Sequence, residues 1–312
     1  MQTINRSSLK LKIADLIILM HSRFPRKEIT KETEGPLLPD RYNNFTYTGK
    51  QKPQIIIEIK IVDKLPEITK TKPIFITYHF EDGLENWRLL KKGKKYIYSS
   101  PLMNRENVMI VNDKFDRVTG YLLPKKDTGK VWSISDIIYD FLQVLLINYF
   151  AQRNQGIFTH AVGIKDTSKQ GLLFAGKSGC GKSTTARIWH KHSKAMVLND
   201  DRIIVRKINE KFFIYGSPWH GDFNDYLITR VESAKLAKLF FIHHAPKNIV
   251  NRVSTKQAFG LLYPAIFPTF WDKKCLNNIV LFCHDLISSV PCFSLGFVNK
   301  KKVIEFVRKI NA

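Results

Sequence analysis

The sequence predicts an α/β protein of the α+β kind, with a mixed sheet carrying a nucleotide-binding loop and a β-rich N-terminal region ahead of it. Three observations predict this. Gly176-Lys177-Ser178-Gly179-Cys180-Gly181-Lys182-Ser183-Thr184 fits the phosphate-loop pattern at every position, between an apolar run and a helix-forming stretch. Two adjacent acids, Asp200 and Asp201, follow close behind it. Residues 1 to about 130 carry short β-branched runs separated by turn residues. The expected regions are therefore 1–130 and 131–312.

Taken in order, residues 13–20 read as a first strand: the run is too short for a membrane span, holds Asp15 and lacks a small-residue cleavage site. Residues 55–62 and 73–78 are strands by β-branched enrichment, and 95–98 and 108–111 are shorter ones. Lys52-Pro53, Asp82-Gly83 and Lys92-Gly93 mark the turns. Asp127-Thr128-Gly129 is a candidate boundary. Ser133-Ile134-Ser135-Asp136 then caps a helix running to about Gln152 and ending near Gly156. Asp140, Gln143 and Asn148 interrupt the longest apolar segment, 137–150, so it is a buried helix and not a membrane span. A strand at 157–164, a turn at 166–170 and the apolar run 171–175 lead into the loop. The helix after the loop is short, because Ala195-Met196-Val197-Leu198 already reads as the next strand, ending at Asn199-Asp200-Asp201. Strands at 203–205 and 212–215 follow. Beyond Gly216 the pattern turns helical in patches, at 231–241, 256–262 and 302–310.

The chain has 312 residues, 44% of them hydrophobic, with a formal net charge of +23. That charge fits an acidic partner, but the basic residues are scattered in short clusters such as Lys91-Lys92-Gly93-Lys94-Lys95 and Lys300-Lys301-Lys302. A lysine-rich background explains them as well. No RNA-recognition, zinc-finger or helix-turn-helix signature stands out, so nucleic acid is not the expected partner. Cys180, Cys275, Cys283 and Cys292 form no C-x-x-C pair and no metal spacing. They suit free thiols in a reducing cytoplasm, the expected location. Cys180, inside the loop, reads as a tolerated small side chain, with the alternative that a lowered thiol pKa there brings sensitivity to alkylation.

The loop glycines let backbone amides turn toward phosphate oxygens, and the helix N-terminus adds partial positive charge. Lys182 is placed to reach the β- and γ-phosphates and the Ser183 hydroxyl to hold Mg²⁺, which makes ATP and Mg²⁺ the expected cofactors. Magnesium at a triphosphate needs one or two carboxylates, and a phosphoryl acceptor needs a carboxylate to take its proton. Asp200 and Asp201, adjacent at a strand's end, read either as the pair that divides those two jobs or as an ordinary acidic turn. Only 19 positions separate Lys182 from Asp201, a much shorter interval than in most phosphate-loop proteins.

The segment from Thr159-His160-Ala161-Val162-Gly163 through 176–184 to Leu198-Asn199-Asp200-Asp201 resembles the catalytic domain of HPr kinase/phosphorylase. That family shares its nucleotide fold with the ATP-dependent phosphoenolpyruvate carboxykinases. Tyr215-Gly216-Ser217-Pro218-Trp219-His220-Gly221-Asp222, with 264–271 and Val290-Pro291-Cys292, resembles a stand-alone branch that includes serine kinases acting on precursor peptides of the lasso type. The resemblance covers about residues 155–312. It implies that Lys182 binds phosphate, that Ser183 ligates Mg²⁺, and that one of Asp200 and Asp201 is the base with the other near the metal. It matches His160 to an active-site histidine and Asp222 to a second acidic metal ligand. A lone histidine beside an apolar strand is equally a packed core residue, and Trp219 and His220 either shape the acceptor pocket or pack.

Departures narrow the activity. Thr184 stands where the bifunctional family has glutamate, and the downstream Arg-Gly-rich signature of the phosphorylase reaction is missing, so phosphorolysis is not expected. Carboxykinase metal and substrate-arginine motifs are not evident. No His-Arg-Asp or Asp-Phe-Gly motif is present, which excludes a eukaryote-type protein kinase. The expected activity is an ATP- and Mg²⁺-dependent phosphotransferase acting on a serine or threonine of a protein or precursor peptide, with residues 1–130 recognising the acceptor or holding an assembly. An acidic peptide fits the charge, no membrane is expected, and the family's oligomers make a homo-oligomer compatible. The rivals are a small-molecule hydroxyl kinase on the same core and a non-catalytic nucleotide-binding subunit of a peptide-modification system.

Overall fold

A computed structural model describes residues 4–25, 40–68, 71–78, 83–100, 107–123, 141–221 and 231–311. It has two large mixed sheets and few helices, and the chain divides into two compact units, Met1–Tyr149 and Phe150–Ala312.

The first unit opens with a hairpin of β1 (Ile4–Ile13) and β2 (Leu16–Pro25). Ala14 and Asp15 both take positive φ, 47° and 60°, the geometry of a two-residue turn whose twist matches its flanking strands. The single strand expected over 13–20 is thus corrected: the run folds back on itself at an Asp that tolerates the left-handed region. After α1 (Asp40–Asn43) come β3 (Ile55–Ile61), β4 (Pro73–Tyr78), β5 (Glu85–Lys92), β6 (Lys95–Ser100), β7 (Asn107–Val111) and β8 (Arg117–Leu122). The sheet order is β1-β2-β3-β8-β7-β6-β5-β4, with β3 parallel to both β2 and β8 and the other pairs antiparallel. Burial alternates where the sequence does: Ile55, Ile57 and Ile59 face the core from β3. Helix α2 (Phe141–Arg153) is the expected buried helix, and its Asn148 amide donates to the Val144 carbonyl at 2.8 Å. The capping run 133–136 and the boundary near 127–132 lie outside the described residues.

The second unit contains β9 (Gly156–Lys165), β10 (Gln170–Ala175), α3 (Lys182–His192), β11 (Met196–Asn199), β12 (Arg202–Ile208), β13 (Lys211–Tyr215), β14 (Ser233–His244), β15 (Ile249–Arg252), α4 (Thr255–Leu262), α5 (Lys273–Ser289), β16 (Cys292–Phe297) and α6 (Lys302–Arg308). Strand β10 pairs with β9 on one edge and runs parallel to β14 on the other. Because β9, β12, β13 and β14 also pair in series, five strands close into a ring, and β16 and β15 extend outward from β14. Both faces are covered, which is why β10 reads as an unbroken apolar run. Leu172 and Phe174 point into the cluster beneath α3 and α6, with Trp189, Ile304 and Val307. Leu173 and Ala175 point into the opposite cluster, with Ala258 of α4 and Ile279 and Phe282 of α5.

The helix expected over 231–241 is a correction: this segment is strand β14. Its Ala-Lys-Leu repeat suits a helix, but pairing along both edges and burial of Leu239, Phe240, Phe241 and Ile242 override that preference. No described helix is long and apolar enough to cross a membrane.

Candidate functional site

The site grows from the C-terminal end of β10. Gly179 and Gly181 take φ of +78° and +100°, which bends residues 176–181 into a tight loop ahead of α3. Gly181 is the N-cap of α3 and supplies no side-chain cap, leaving the first-turn amides to an outside acceptor. Lys182 is buried, and its ammonium folds back to donate to the Gly176 and Lys177 carbonyls at 3.0 Å each. An ammonium has three donors, so two brace the loop while one can serve an anion.

The acids come from the neighbouring strand system. Strands β11 and β12 run one after the other along the same edge of β9, with Asp200 and Asp201 at the break between them. Asn199, fully buried, fixes that break. Its Nδ2 donates to the Ser217 and Trp219 carbonyls at 2.9 and 3.0 Å, and its Oδ1 accepts from the Asp201 and Arg202 amides at 2.8 and 2.9 Å. The Asp201 carbonyl and carboxylate thereby face β9, where the carbonyl accepts from Ala161 N–H at 3.2 Å and Oδ1 meets His160 Nε2 at 2.7 Å. Oδ2 pairs with Arg202 at 2.5 Å, and that guanidinium lies 4.4 Å from the Phe267 ring centre. Asp200, nearly inaccessible, accepts from Gly221 N–H at 3.0 Å.

Burial works against ionising Asp201, but the His160 hydrogen bond and the Arg202 and Lys182 charges outweigh it and hold the carboxyl below its ordinary range. It is a carboxylate at neutral pH. The lowered-pKa alternative for Cys180 is overturned: burial raises its thiol pKa, and Lys182 only partly offsets that. Burial also pushes Cys283 and Cys292 to about 12, and all four cysteines are free thiols.

These parts meet in one cleft of about 450 Å³, lined by His160, Ser178, Gly179, Gly181, Lys182, Ser183, Thr184, Asp200, Asp201, Gly221 and His244. Of the acids and bases expected to act on phosphate or metal, His160, Lys182, Asp200 and Asp201 are in it, and Asp222 lies outside the described residues. Gly176, Lys177 and Cys180 line a separate, more apolar pocket behind the loop. Trp219 packs edge-on against Phe158 and His220 bonds the Gly221 carbonyl through Nδ1, so neither lines the cleft. Sequence reasoning missed Arg202, Gly221 and His244, whose roles come from tertiary neighbours. It also missed the clamping role of Asn199, for which an Asn directly before two acids at a strand end was a readable signal.

Among the described residues no three His, Cys, Asp or Glu side chains converge as a metal cluster. Mg²⁺ bound with a triphosphate does not need one: it takes one or two carboxylates, retains water, and draws its remaining ligands from the phosphates. Ser183 with one carboxylate of the acid pair is a donor set of that kind.

No family model matches the chain, and no curated protein matches it. Among solved structures it is similar to the Hpr(Ser) kinase/phosphatase from Coxiella burnetii, at 15% identity and a TM-score of 0.28, over 48% of this chain and 93% of that one. That likeness is weak and decides nothing about the cleft.

Proposed function

We propose that this chain is an ATP- and Mg²⁺-dependent kinase that transfers the γ-phosphoryl group to a serine or threonine hydroxyl of a protein or peptide. The observation that carries the reading is the shared cleft: Ser178, Gly179 and Gly181 to Thr184 of the loop line it together with an acid pair that includes the ionised Asp201. The loop amides and Lys182 hold the β- and γ-phosphates, and Ser183 with one of the acids holds Mg²⁺. When bound, the metal offsets charge on the phosphates. One carboxylate of the Asp200–Asp201 pair accepts the hydroxyl proton as the acceptor oxygen bonds to the γ-phosphorus and the bridging oxygen leaves with ADP. His160 and Arg202 fix where the Asp201 carboxylate stands. Catalysis on this reading is positioning and electrostatics.

The test uses purified full chain. Mg·ATP at millimolar concentration should raise the melting temperature of the wild type and leave Lys182→Ala unmoved. With γ-labelled ATP and a pool of serine- and threonine-containing peptides, label should appear on peptide and fall at least about 100-fold in Asp201→Asn. No nucleotide-dependent stabilisation of the wild type sinks the reading. Label on free serine or a sugar, with none on peptide, sinks the acceptor assignment alone.

A further inference from the structure

Strand register gives the cleft two different ends. Ala175, the last residue of β10, stands opposite Ala161 on β9 and Phe241 on β14. His160 therefore flanks the loop from the β9 side, and His244, three residues beyond Phe241, flanks it from the β14 side. The β9 end carries the acids Asp200 and Asp201. The β14 end carries the imidazole of His244, exposed at the cleft rim.

That ring is held as a surface and not as a loose side chain. His244 Nε2 donates to the Gly179 carbonyl at 3.0 Å. Its inner side stacks on Phe297, with ring centres 6.1 Å apart and planes 29° from parallel, and Phe297 is itself buried. A flat, backed aromatic ring beside a phosphate cradle, at the end away from the acids, has the chemistry to take the π-face of a nucleobase.

We propose that His244 is the stacking platform for the base of the nucleoside triphosphate, so that the nucleotide lies with its γ-phosphate toward Asp200 and Asp201 and its base toward β14. The proposal rests on the nucleotide reading above and gives it a direction. It separates two roles for His244: contact with the base, and support of the loop through Gly179.

The experiment compares two probes by calorimetry on the full chain: Mg·ATP, and Mg·tripolyphosphate, which has the phosphates and no base. In His244→Ala the dissociation constant for ATP should rise roughly tenfold while that for tripolyphosphate stays within about twofold, since base stacking is worth that order. His244→Phe keeps a ring and loses the Gly179 hydrogen bond, and it should hold ATP within about threefold of wild type. Equal weakening of both probes in His244→Ala overturns the platform, because it marks a loop brace or a charge contact. Unchanged ATP affinity in that variant overturns it as well. If wild type binds neither probe, the nucleotide reading fails and the platform falls with it, whereas wild-type binding with no ATP-selective loss refutes the platform alone.

Discussion

Replacing Gly181 with alanine asks how tightly the loop is built. At φ of +100° a Cβ is strained whatever surrounds it, at a cost of about 1–3 kcal/mol. Here the surroundings also object: the added carbon would lie 2.8 Å from Phe297 Cζ, 3.3 Å from its Cε1 and 3.4 Å from His244 Cε1. Phe297 is packed in the core cluster under α3 and α6 and has little room to yield, so overpacking adds about 1–3 kcal/mol. Gly179→Ala is the internal control, since its φ is +78° but nothing lies within 4 Å of the added carbon. It should cost only the backbone strain, about 1–2 kcal/mol. At roughly 2–4 °C per kcal/mol for a unit of this size, thermal scanning should find Gly181→Ala lower than Gly179→Ala by about 2–12 °C. Gly181→Ala should also lose the Mg·ATP-dependent shift, because the relaxation displaces the amides that begin α3. Equal melting temperatures for the two variants would refute the argument that Phe297 fixes this turn.

Three further outcomes are expected. Asn199→Ala leaves four backbone groups without the partners they have now, which should destabilise by about 2–4 kcal/mol in urea titration and lower phosphoryl transfer by more than its effect on nucleotide affinity. Asp166 bonds Arg308 through both oxygens at 2.6 to 3.2 Å, tying the β9–β10 turn to α6; although its burial opposes ionisation, this pairing lowers its pKa. A depressed carboxyl stabilises above its unfolded value near 3.9 and loses that contribution as pH falls through the folded value, so Asp166→Asn should cost about 1–2 kcal/mol at pH 7, discounted for the part-exposed Arg308, and progressively less as the pH is lowered below that unfolded value. A raised thiol pKa predicts that Cys180 reacts with a disulfide reagent at pH 8 several-fold more slowly than a free model thiol; equal or faster reaction would contradict it.

The loop, its strand and its helix were legible because each rests on local spacing: six loop positions between an apolar run and a helix former. Asp200 and Asp201 were legible for the same reason, at a strand end. Which side of the cleft they reach was not, since that depends on β11 and β12 sharing one edge of β9, a pairing no local pattern encodes. Residues 231–241 misled through helical propensity, and only the strands on each edge of β14 decide otherwise. Strands β5 and β8 escaped notice because Arg88, Lys91 and Lys92 in one and Gly120 in the other blur the alternation. Helix α5 was missed although Cys275, Ile279, Phe282, Cys283 and Leu286 mark a helical stripe. His244 was invisible because its value comes from Phe297 and Gly179, far away in sequence.

Strand β10 has no open edge, and neither does the ladder that holds Asp201 against His160. Sites on terminal strands or surface hairpins can melt away while the rest of a protein stays folded, and regulation often exploits such partial opening. In this unit β10 ahead of the loop and β12 directly after the acid pair belong to one closed ring of strands, so neither can fray without opening the ring. The lifetime of the cleft's geometry is then the lifetime of the whole folded unit, and an activity lost on warming should disappear together with the core and not ahead of it.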